Sequence, residues 1–474
     1  MAEFLRTDIV RRFLLGAFLS CTLTAGVWGE SLPYPVSNSK PELSKTYTIG
    51  NYGLSGSNSL FAGSLVNRNV LSNGFVCLTL EIPEKNLVCF EYLVRCGVSQ
   101  ESSNLQGFNN LVLKLLSDRI TADAENDDVV EITGSVVEDG ASQDFSRISI
   151  VTSASNGPFM LRRLCRAISQ GDFSTEEVEK ARKSILGKTG ESGGTSGRLY
   201  DIFLSSFYRL HPYKRSVQNV PVILKRLTAE EVNAYYRANF TSDRSVLTIA
   251  GKFNAKSMLE TVKENCQKLR PASEKILEVQ WEPQAVEKEV YLYSQSELAW
   301  VLVGYQAPEL QSADYPAMQV IYGALGAGLS SRLWTELREN RGLAYEVGAR
   351  YPDLVGPSHL LCHVITKPTS AGVARRRILA EIERLKKEGM SREELAETKE
   401  KLAGAYLAER ESLSGRALHL SMAELSGAGG ESDASYLKNL QAVTAEDIKR
   451  VADKYLREPT IIIARPGGRL YWDW

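Results

Sequence analysis

Imidazoles set the first limit on chemistry, because the chain of 474 residues holds only four histidines: His211, His359, His363 and His419. Only His359-Leu-Leu-Cys-His363 has a spacing that could put two rings on one metal, since residues four apart share a face on a helix. Pro357 before it and Val364-Ile-Thr after it favour a strand instead. There the two residues lie about 13 Å apart at roughly 3.3 Å per residue, too far for one zinc. His211, followed by Pro212, reads as a turn or helix-end residue, and His419 falls on a helical pattern. The seven cysteines (Cys21, Cys77, Cys89, Cys96, Cys165, Cys266 and Cys362) include no Cys-x-x-Cys pair. Most sit among Val, Leu and Phe as small buried hydrophobes do, which argues against a zinc-thiolate site. In an oxidising compartment Cys89 and Cys96, or another pair, could join. Gly187-Lys188-Thr189 resembles the end of a phosphate loop. The earlier glycine such a loop requires is Arg182, however, and a helix precedes it where a strand is needed, which removes nucleotide binding. The run 187–197 reads as a flexible loop.

Charge narrows the partners further. With 56 Lys and Arg against 57 Asp and Glu, the formal net charge is -1. No basic block offers the cationic face that phosphate neutralisation needs, so nucleic acid is not an expected partner. Near the amino terminus Arg6, Arg11 and Arg12 precede the apolar run 13–28. That run includes Ser20, Thr22 and Thr24 and falls short of the roughly 20 apolar residues of a spanning helix. Residues 1–29 read as a secretory signal peptide cut after Gly29. The expected destination is periplasmic or extracellular, with no stable membrane span after processing. A lipoprotein-like Phe18-Leu-Ser-Cys21, an organellar transit peptide and an uncleaved membrane anchor remain as alternatives.

Residues 30–64, rich in Ser, Gly, Asn and Pro, read as a linker, and a hairpin around Asn73-Gly74 opens the folded part. Patterning then predicts a strand at 87–96, a helix at 104–118 and strands at 128–137 and 145–153. Helices follow at 157–169, 175–186, 196–209 and 228–239, then a strand at 245–252 and a helix at 254–269. Helix-start signatures repeat at one offset: the capping boxes Ser174-x-x-Glu177 and Ser391-x-x-Glu394 lie 217 residues apart, and Thr228-Ala-Glu-Glu and Thr444-Ala-Glu-Asp lie 216 apart. The second pair leads into matching strands, Val246-Leu-Thr-Ile-Ala and Thr460-Ile-Ile-Ile-Ala, and Trp300-Val-Leu-Val-Gly mirrors the strand beginning at Val88. The expectation is a duplicated α+β chain with halves at 65–270 and 288–474, joined by a linker at 271–287. A cleft between two such halves would be a favoured ligand site. The helices 373–388 and 394–411, with Arg375-Arg-Arg and Lys386-Lys, read as amphipathic with solvated charged faces.

The string Leu325-Gly-Ala-Gly-Leu-Ser-Ser-Arg-Leu-Trp-Thr-Glu-Leu-Arg-Glu-Asn-Arg-Gly-Leu-Ala-Tyr345 resembles the second half of the insulinase/pitrilysin-like zinc peptidases, which include mitochondrial processing peptidase. Leu71-Ser-Asn-Gly, Arg95-Cys-Gly-Val-Ser-x-Glu101, His211-Pro-Tyr and Leu227-Thr-Ala-Glu-Glu extend the resemblance over about 65–468. It implies two α/β roll halves closing as a clam shell. Active members carry H-x-x-E-H on the first helix of the first half, with a distal glutamate as a further zinc ligand. Aligned on Gly107, these positions become Asn110, Leu113 and Lys114, and the distal ligand falls on Lys188. Ammonium groups in place of an imidazole and a carboxylate repel a divalent cation. The resemblance therefore implies no metal or other cofactor in this chain, with zinc expected in a partner subunit.

The family's substrate-facing arginine and tyrosine, seven residues apart, match Arg338 and Tyr345. A guanidinium and a phenol suit a substrate carbonyl and a developing oxyanion. Gly323, Gly326 and Gly328 would allow a peptide backbone to approach closely or the loop to hinge; the alternative is that Arg338 pairs with Glu336, Glu339 or solvent on a helix surface, Tyr345 packs on a strand and the glycines make a turn. The function so implied is that of a zinc-less subunit, inactive alone, which pairs with a zinc-bearing homologue and lends contacts to a peptide substrate. A structural or assembly subunit and a non-catalytic peptide-binding protein are the alternatives.

Overall fold

The structure, a computed structural model, describes residues 44–48, 65–101, 106–122, 129–188, 194–217, 224, 226–273, 288–427 and 431–467. The expected signal segment and the 271–287 linker beyond residue 273 lie outside them. Among the described residues no helix is long and apolar enough to cross a membrane.

Gly74, at φ +87, closes the turn between β2 (Leu65–Val70) and β3 (Val76–Glu81), a conformation that suits a residue without Cβ. Within the stretch 30–64 read as linker, Ser44–Thr48 forms β1, antiparallel to β2. Strands β4 (Leu87–Val94), β5 (Val136–Ala141), β6 (Ser146–Ser153) and β7 (Ser245–Gly251) complete a seven-stranded sheet in the order β1-β2-β3-β7-β4-β6-β5. The second sheet joins β8 (Lys288–Ser294), β9 (Ala299–Ala307), β10 (Ala344–Arg350), β11 (Ser358–Thr366) and β12 (Thr460–Pro466) in the order β10-β11-β9-β12-β8. Taken from its other edge, β8-β12-β9-β11-β10 is strand for strand the arrangement β3-β7-β4-β6-β5. In both sheets the first pair is parallel and the rest antiparallel. The duplication expected from the helix caps is thus written in the topology, in a two-domain α+β fold.

The caps themselves are formed. Thr228 and Thr444 each accept from the backbone N–H three residues on, while Glu231 and Asp447 reach back to the cap N–H. Ser174 and Glu177 make the same exchange. Ser391 accepts from the Glu394 N–H, but the Glu394 carboxylate is turned onto Arg332 instead.

Each sheet buries one face under helices of its own half. Phe90, Tyr92, Ile148 and Ile249 pack against the helices Phe108–Thr121, Gly157–Ser169 and Ala229–Asn239. Val301, Val303, Val364 and Ile463 pack against Tyr315–Gly326, Ala371–Glu388 and Ala445–Tyr455. The opposite faces are covered by exchange. The helix Gly194–Tyr208, from the first half, lays Leu199, Ile202, Phe203 and Phe207 on Leu302, Leu361 and Ile462 of the second sheet. The helix Leu413–Leu425, from the second half, lays Ala417, Leu418 and Met422 on Leu78, Leu93 and Val246 of the first. Gly304 of β9 makes room for this: a Cβ there would sit 2.1 Å from the Phe203 ring. Thr248 and Ser421 share a buried 2.7 Å hydrogen bond, and Arg68 donates to both oxygens of Glu424. Asp144 adds a clasp between the halves by accepting from the Tyr213 hydroxyl at 2.7 Å and from the Val355 N–H at 2.9 Å.

The strand expected at 128–137 forms only in part. Val129–Thr133 is a short helix, Gly134 at φ +59 ends it, and β5 begins at Val136. The β-branched run Val-Val-Glu-Ile-Thr suits a half-buried pleat, yet only Val129 of these residues is buried, and Thr133 donates back to the Val129 carbonyl. Residues 189–193 of the expected flexible loop lie outside the described residues. Gly187 belongs to the helix Thr175–Lys188, and Gly194 starts the next.

Candidate functional site

Asn110, Leu113 and Lys114, the positions aligned with the expected zinc motif, stand on the helix Phe108–Thr121. Gly107 starts it in the left-handed region at φ +102. In place of a side-chain cap, Glu101 accepts from the backbone N–H groups of Gly107 at 2.8 Å and Asn109 at 2.7 Å, which sets its carboxyl on the positive end of the helix. Burial raises this carboxyl to about 7, against the lowering pull of those N–H groups and of Arg215. One turn on, Asn110 is half-buried and Leu113 is turned into the core, 1% exposed. Lys114 is bound to Asp118 at 2.5 Å. Zinc wants imidazole, thiolate or carboxylate ligands. An amide, a buried hydrocarbon and an already paired ammonium do not fit it. Lys188 is the last residue of the helix Thr175–Lys188. Among the described residues no group of three or more His, Cys, Asp and Glu could hold a metal ion.

The histidines have structural partners. His211 accepts from the Tyr213 N–H and caps the turn Pro212–Lys214. His419 faces Glu409 at 3.3 Å. His359 and His363 stand on β11, as their spacing predicted, and each has its own surroundings. His359 is sealed under the exchanged helix Gly194–Tyr208. The Tyr208 hydroxyl donates to the Pro357 carbonyl and so accepts from Nδ1 at 2.8 Å, which leaves Nε2 to accept from Tyr200 at 3.1 Å. Burial, with the nearby charge of Arg350, favours the neutral ring and lowers it to about 3. His363 meets Glu346 of β10 at 3.4 Å. The cysteines of the described residues are free and buried.

Arg338 and Tyr345 are brought together by two irregularities. After the helical turn Arg332–Trp334 the chain widens into a π-type turn at Thr335–Glu339, with the Asn340 N–H bonded to the Thr335 carbonyl five residues back. Gly342, at φ +58, then reverses the chain into β10. On β10 the register slips: Ala344 faces Thr366 and Glu346 faces Ile365, leaving Tyr345 as a bulge. Arg338 Nη1 donates to the carbonyls of Ala344 at 2.8 Å and Tyr345 at 2.5 Å, and its guanidinium lies 5.1 Å from the Trp334 ring centre. The arginine thus clamps the bulge from behind, and Tyr345 stands 52% exposed. Nε and Nη2 of Arg338 make no hydrogen bond among the described residues.

The three glycines divide. Gly323 and Gly326 lie inside the helix Tyr315–Gly326 and serve packing: a Cβ on Gly323 would meet Thr398 at 2.8 Å, and one on Gly326 would meet the Ala349 backbone at 2.3 Å. Neither has a face open to a ligand. Gly328 alone is in open space, at φ +90. Sequence reasoning missed Trp334, although its position four residues before Arg338 is the spacing at which helical side chains meet. Glu101 stands in the quoted Arg95–Glu101 stretch, but nothing there shows its role at the helix start, and no spacing rule announces the bulge.

Residues 226–402 match the family model described as Peptidase M16 inactive domain. The chain is 22% identical over 409 residues to the zinc protease PqqE of Helicobacter pylori, covering 84% of this chain and 92% of that one. It is 24% identical over 303 residues to an uncharacterized zinc protease of Mycobacterium tuberculosis, covering 62% and 68%. The crystal structure of a protease from Helicobacter pylori superposes with a TM-score of 0.77 at 20% identity, covering 85% of this chain and all of that one. A peptidase M16 inactive domain from Pseudomonas fluorescens superposes at 0.74 and 17% identity, covering 86% and 99%. Residues 226–402 thus resemble the Peptidase M16 inactive domain, and the chain as a whole has the fold of M16-like peptidases.

Proposed function

We propose that this chain is the non-catalytic, zinc-less subunit of a peptidase of this family, pairing with a zinc-bearing homologue and contributing peptide contacts through Arg338 and Tyr345. The observation that carries the reading is the contrast between the two halves. Where the family places its metal, Leu113 is core and Lys114 is paired with Asp118. In the second half, by contrast, a guanidinium and a phenol are fixed at an exposed bulge with donors to spare. Tyr345 would donate to a substrate carbonyl or to the oxyanion that forms from it, and Arg338 would hold the tyrosine's backbone while offering its free N–H groups. Donors held in place before the substrate arrives need no reorganisation during the reaction, which is where such groups are worth most. The metal and the water it activates would belong to the partner. The arginine-led apolar run 13–28 supports export, which amino-terminal sequencing of the chain from separated cell fractions tests.

The purified chain should hold no stoichiometric zinc and hydrolyse no peptide alone, and should restore or raise hydrolysis by a zinc-bearing homologue purified from the same cells. Arg338→Ala and Tyr345→Phe should each lower kcat/KM of the pair by about 10- to 1000-fold. Stoichiometric zinc in the single chain refutes the zinc-less assignment. Full activity of the pair with both substitutions leaves the chain a structural subunit.

A further inference from the structure

Seven cysteines without a Cys-x-x-Cys pair leave any disulfide to be set by the fold. Cys89 and Cys96, the pair nearest in sequence, belong to cores on opposite faces of the first sheet and cannot meet. Three other thiols gather on one face. Cys77 of β3, Cys165 of the helix Gly157–Ser169 and Cys266, the last residue of the helix Ala255–Cys266, are all fully buried in the same core. They do not converge as a metal centre, since no group of three or more His, Cys, Asp and Glu among the described residues could hold an ion. Two of them converge as a pair. The Cys266 thiol shares a hydrogen bond with Cys165, while Cys77 reaches the two sulfurs only through space. Both ends of the pair are held by the carbonyls behind them. Ser169 Oγ donates to the Cys165 carbonyl at 2.6 Å, and Asn73 Nδ2 donates to the carbonyls of Cys266 and Leu269 at 2.9 Å each. The two helices also pack closely at their starts, where a Cβ on Gly157 would lie 3.4 Å from the Met258 methyl. Sulfurs within hydrogen-bond reach on two fixed helices need only small side-chain rotations to come to bonding distance, about 2 Å.

We infer that Cys165 and Cys266 are the site of a disulfide, formed when the chain meets an oxidant that itself carries a disulfide, such as oxidised glutathione or a dithiol oxidase. One cysteine thiolate attacks a sulfur of the oxidant and releases its first thiol. The other thiolate attacks the mixed disulfide and releases the second. The two cysteines lose two electrons, the oxidant's disulfide gains them, and the two protons pass to its thiols. The hydrogen bond with Cys165, and then burial, raise the Cys266 thiol well above its usual range, so the closed fold keeps the pair unreactive and the exchange takes place while the core is open. The bond encloses residues 166–265, the stretch that leaves the first half to lay the helix Gly194–Tyr208 on the second sheet and then returns through β7. It ties the departure of that stretch to its return, and it is independent of any role in peptide hydrolysis.

The test incubates the reduced full chain with reduced and oxidised glutathione in urea just below its unfolding midpoint. The chain is then alkylated with iodoacetamide in full denaturant and digested with trypsin without reduction. The peptides Leu164-Cys165-Arg166 and Glu264-Asn265-Cys266-Gln267-Lys268 should appear joined in the mass spectrum and part on reduction, while the Cys77 peptide, 69–85, is found alkylated. The oxidised chain should melt about 5–10 °C above the reduced one, a gap absent from Cys165→Ala and Cys266→Ala. Alkylated or glutathione-bearing Cys165 and Cys266 peptides with no link between them overturn the pairing, as does a link from either to 69–85 in preference. If an alanine variant does not fold, the peptide map of the unaltered chain still decides.

Discussion

Two buried groups should titrate against each other between pH 7 and pH 5, and single substitutions should expose the balance. His359 titrates at about 3 in the folded chain, against 6.5 for a free imidazole. Its folded value is depressed, so its contribution is fully present above 6.5 and is lost as the pH falls from there toward 3. Over pH 7 to 5 the linkage relation gives a loss of about 2 kcal/mol. Glu101 is the reverse case, raised from 4.5 to about 7. Its contribution is fully present below 4.5 and is lost as the pH rises through 7, so the same acidification gains about 2 kcal/mol. The two nearly cancel in the unaltered chain. Urea unfolding followed by tryptophan fluorescence at the two pH values, for the unaltered chain, His359→Gln and Glu101→Gln, isolates them because every other titrating group is common to all three. Relative to the unaltered chain, acidification should stabilise His359→Gln by about 2 kcal/mol and destabilise Glu101→Gln by about 2 kcal/mol, a spread of about 4 between the variants. If the three stabilities change in parallel with pH, neither group is buried in the protonation state argued for it.

Three further outcomes follow from packing and clasping. Gly304→Ala should cost about 1–3 kcal/mol in unfolding free energy by forcing the Phe203 ring aside, and pairing it with Phe203→Leu should recover part of that loss rather than add to it. Gly326→Ala should destabilise by a similar amount through its clash with the Ala349 backbone, whereas Gly328→Ala should cost only about 1 kcal/mol of backbone strain, both read from thermal melts. Tyr213→Phe removes the hydroxyl that serves Asp144 and Gly356, and should cost about 1–3 kcal/mol by leaving a buried carboxyl with one donor fewer.

Local signals made much of this architecture legible. The Thr228 and Thr444 caps, the Asn73-Gly74 turn and the strand character of 358–366 are each set by residues within a few positions of one another, and each appears where patterning placed it. The Arg338–Tyr345 pair could be located but not understood, because a register slip between β10 and β11 depends on how residue 344 meets residue 366. Gly323 and Gly326 were misassigned for the same reason: a glycine that relieves a contact with Thr398 or Ala349 looks, in sequence, like one that admits a ligand. Val129–Thr133 went against its β-branched composition because so little of it is buried. Nothing local marks the helices Gly194–Tyr208 and Leu413–Leu425 as seated on the other half's sheet, since amphipathic periodicity says which face is covered and not by what.

That seating bears on how the chain is made. Its first sheet is complete once β7 has left the ribosome, yet one face, including Leu78, Leu93 and Val246, has no cover until Leu413–Leu425 is translated. At about 5–20 residues per second the wait is roughly ten to thirty-five seconds. Through that interval the nascent chain carries an apolar sheet face and an apolar helix, Gly194–Tyr208, whose sheet has not yet been made. Either half expressed alone should therefore fail to reach its native fold, an expectation that circular dichroism of residues 65–270 and of residues 288–474 checks.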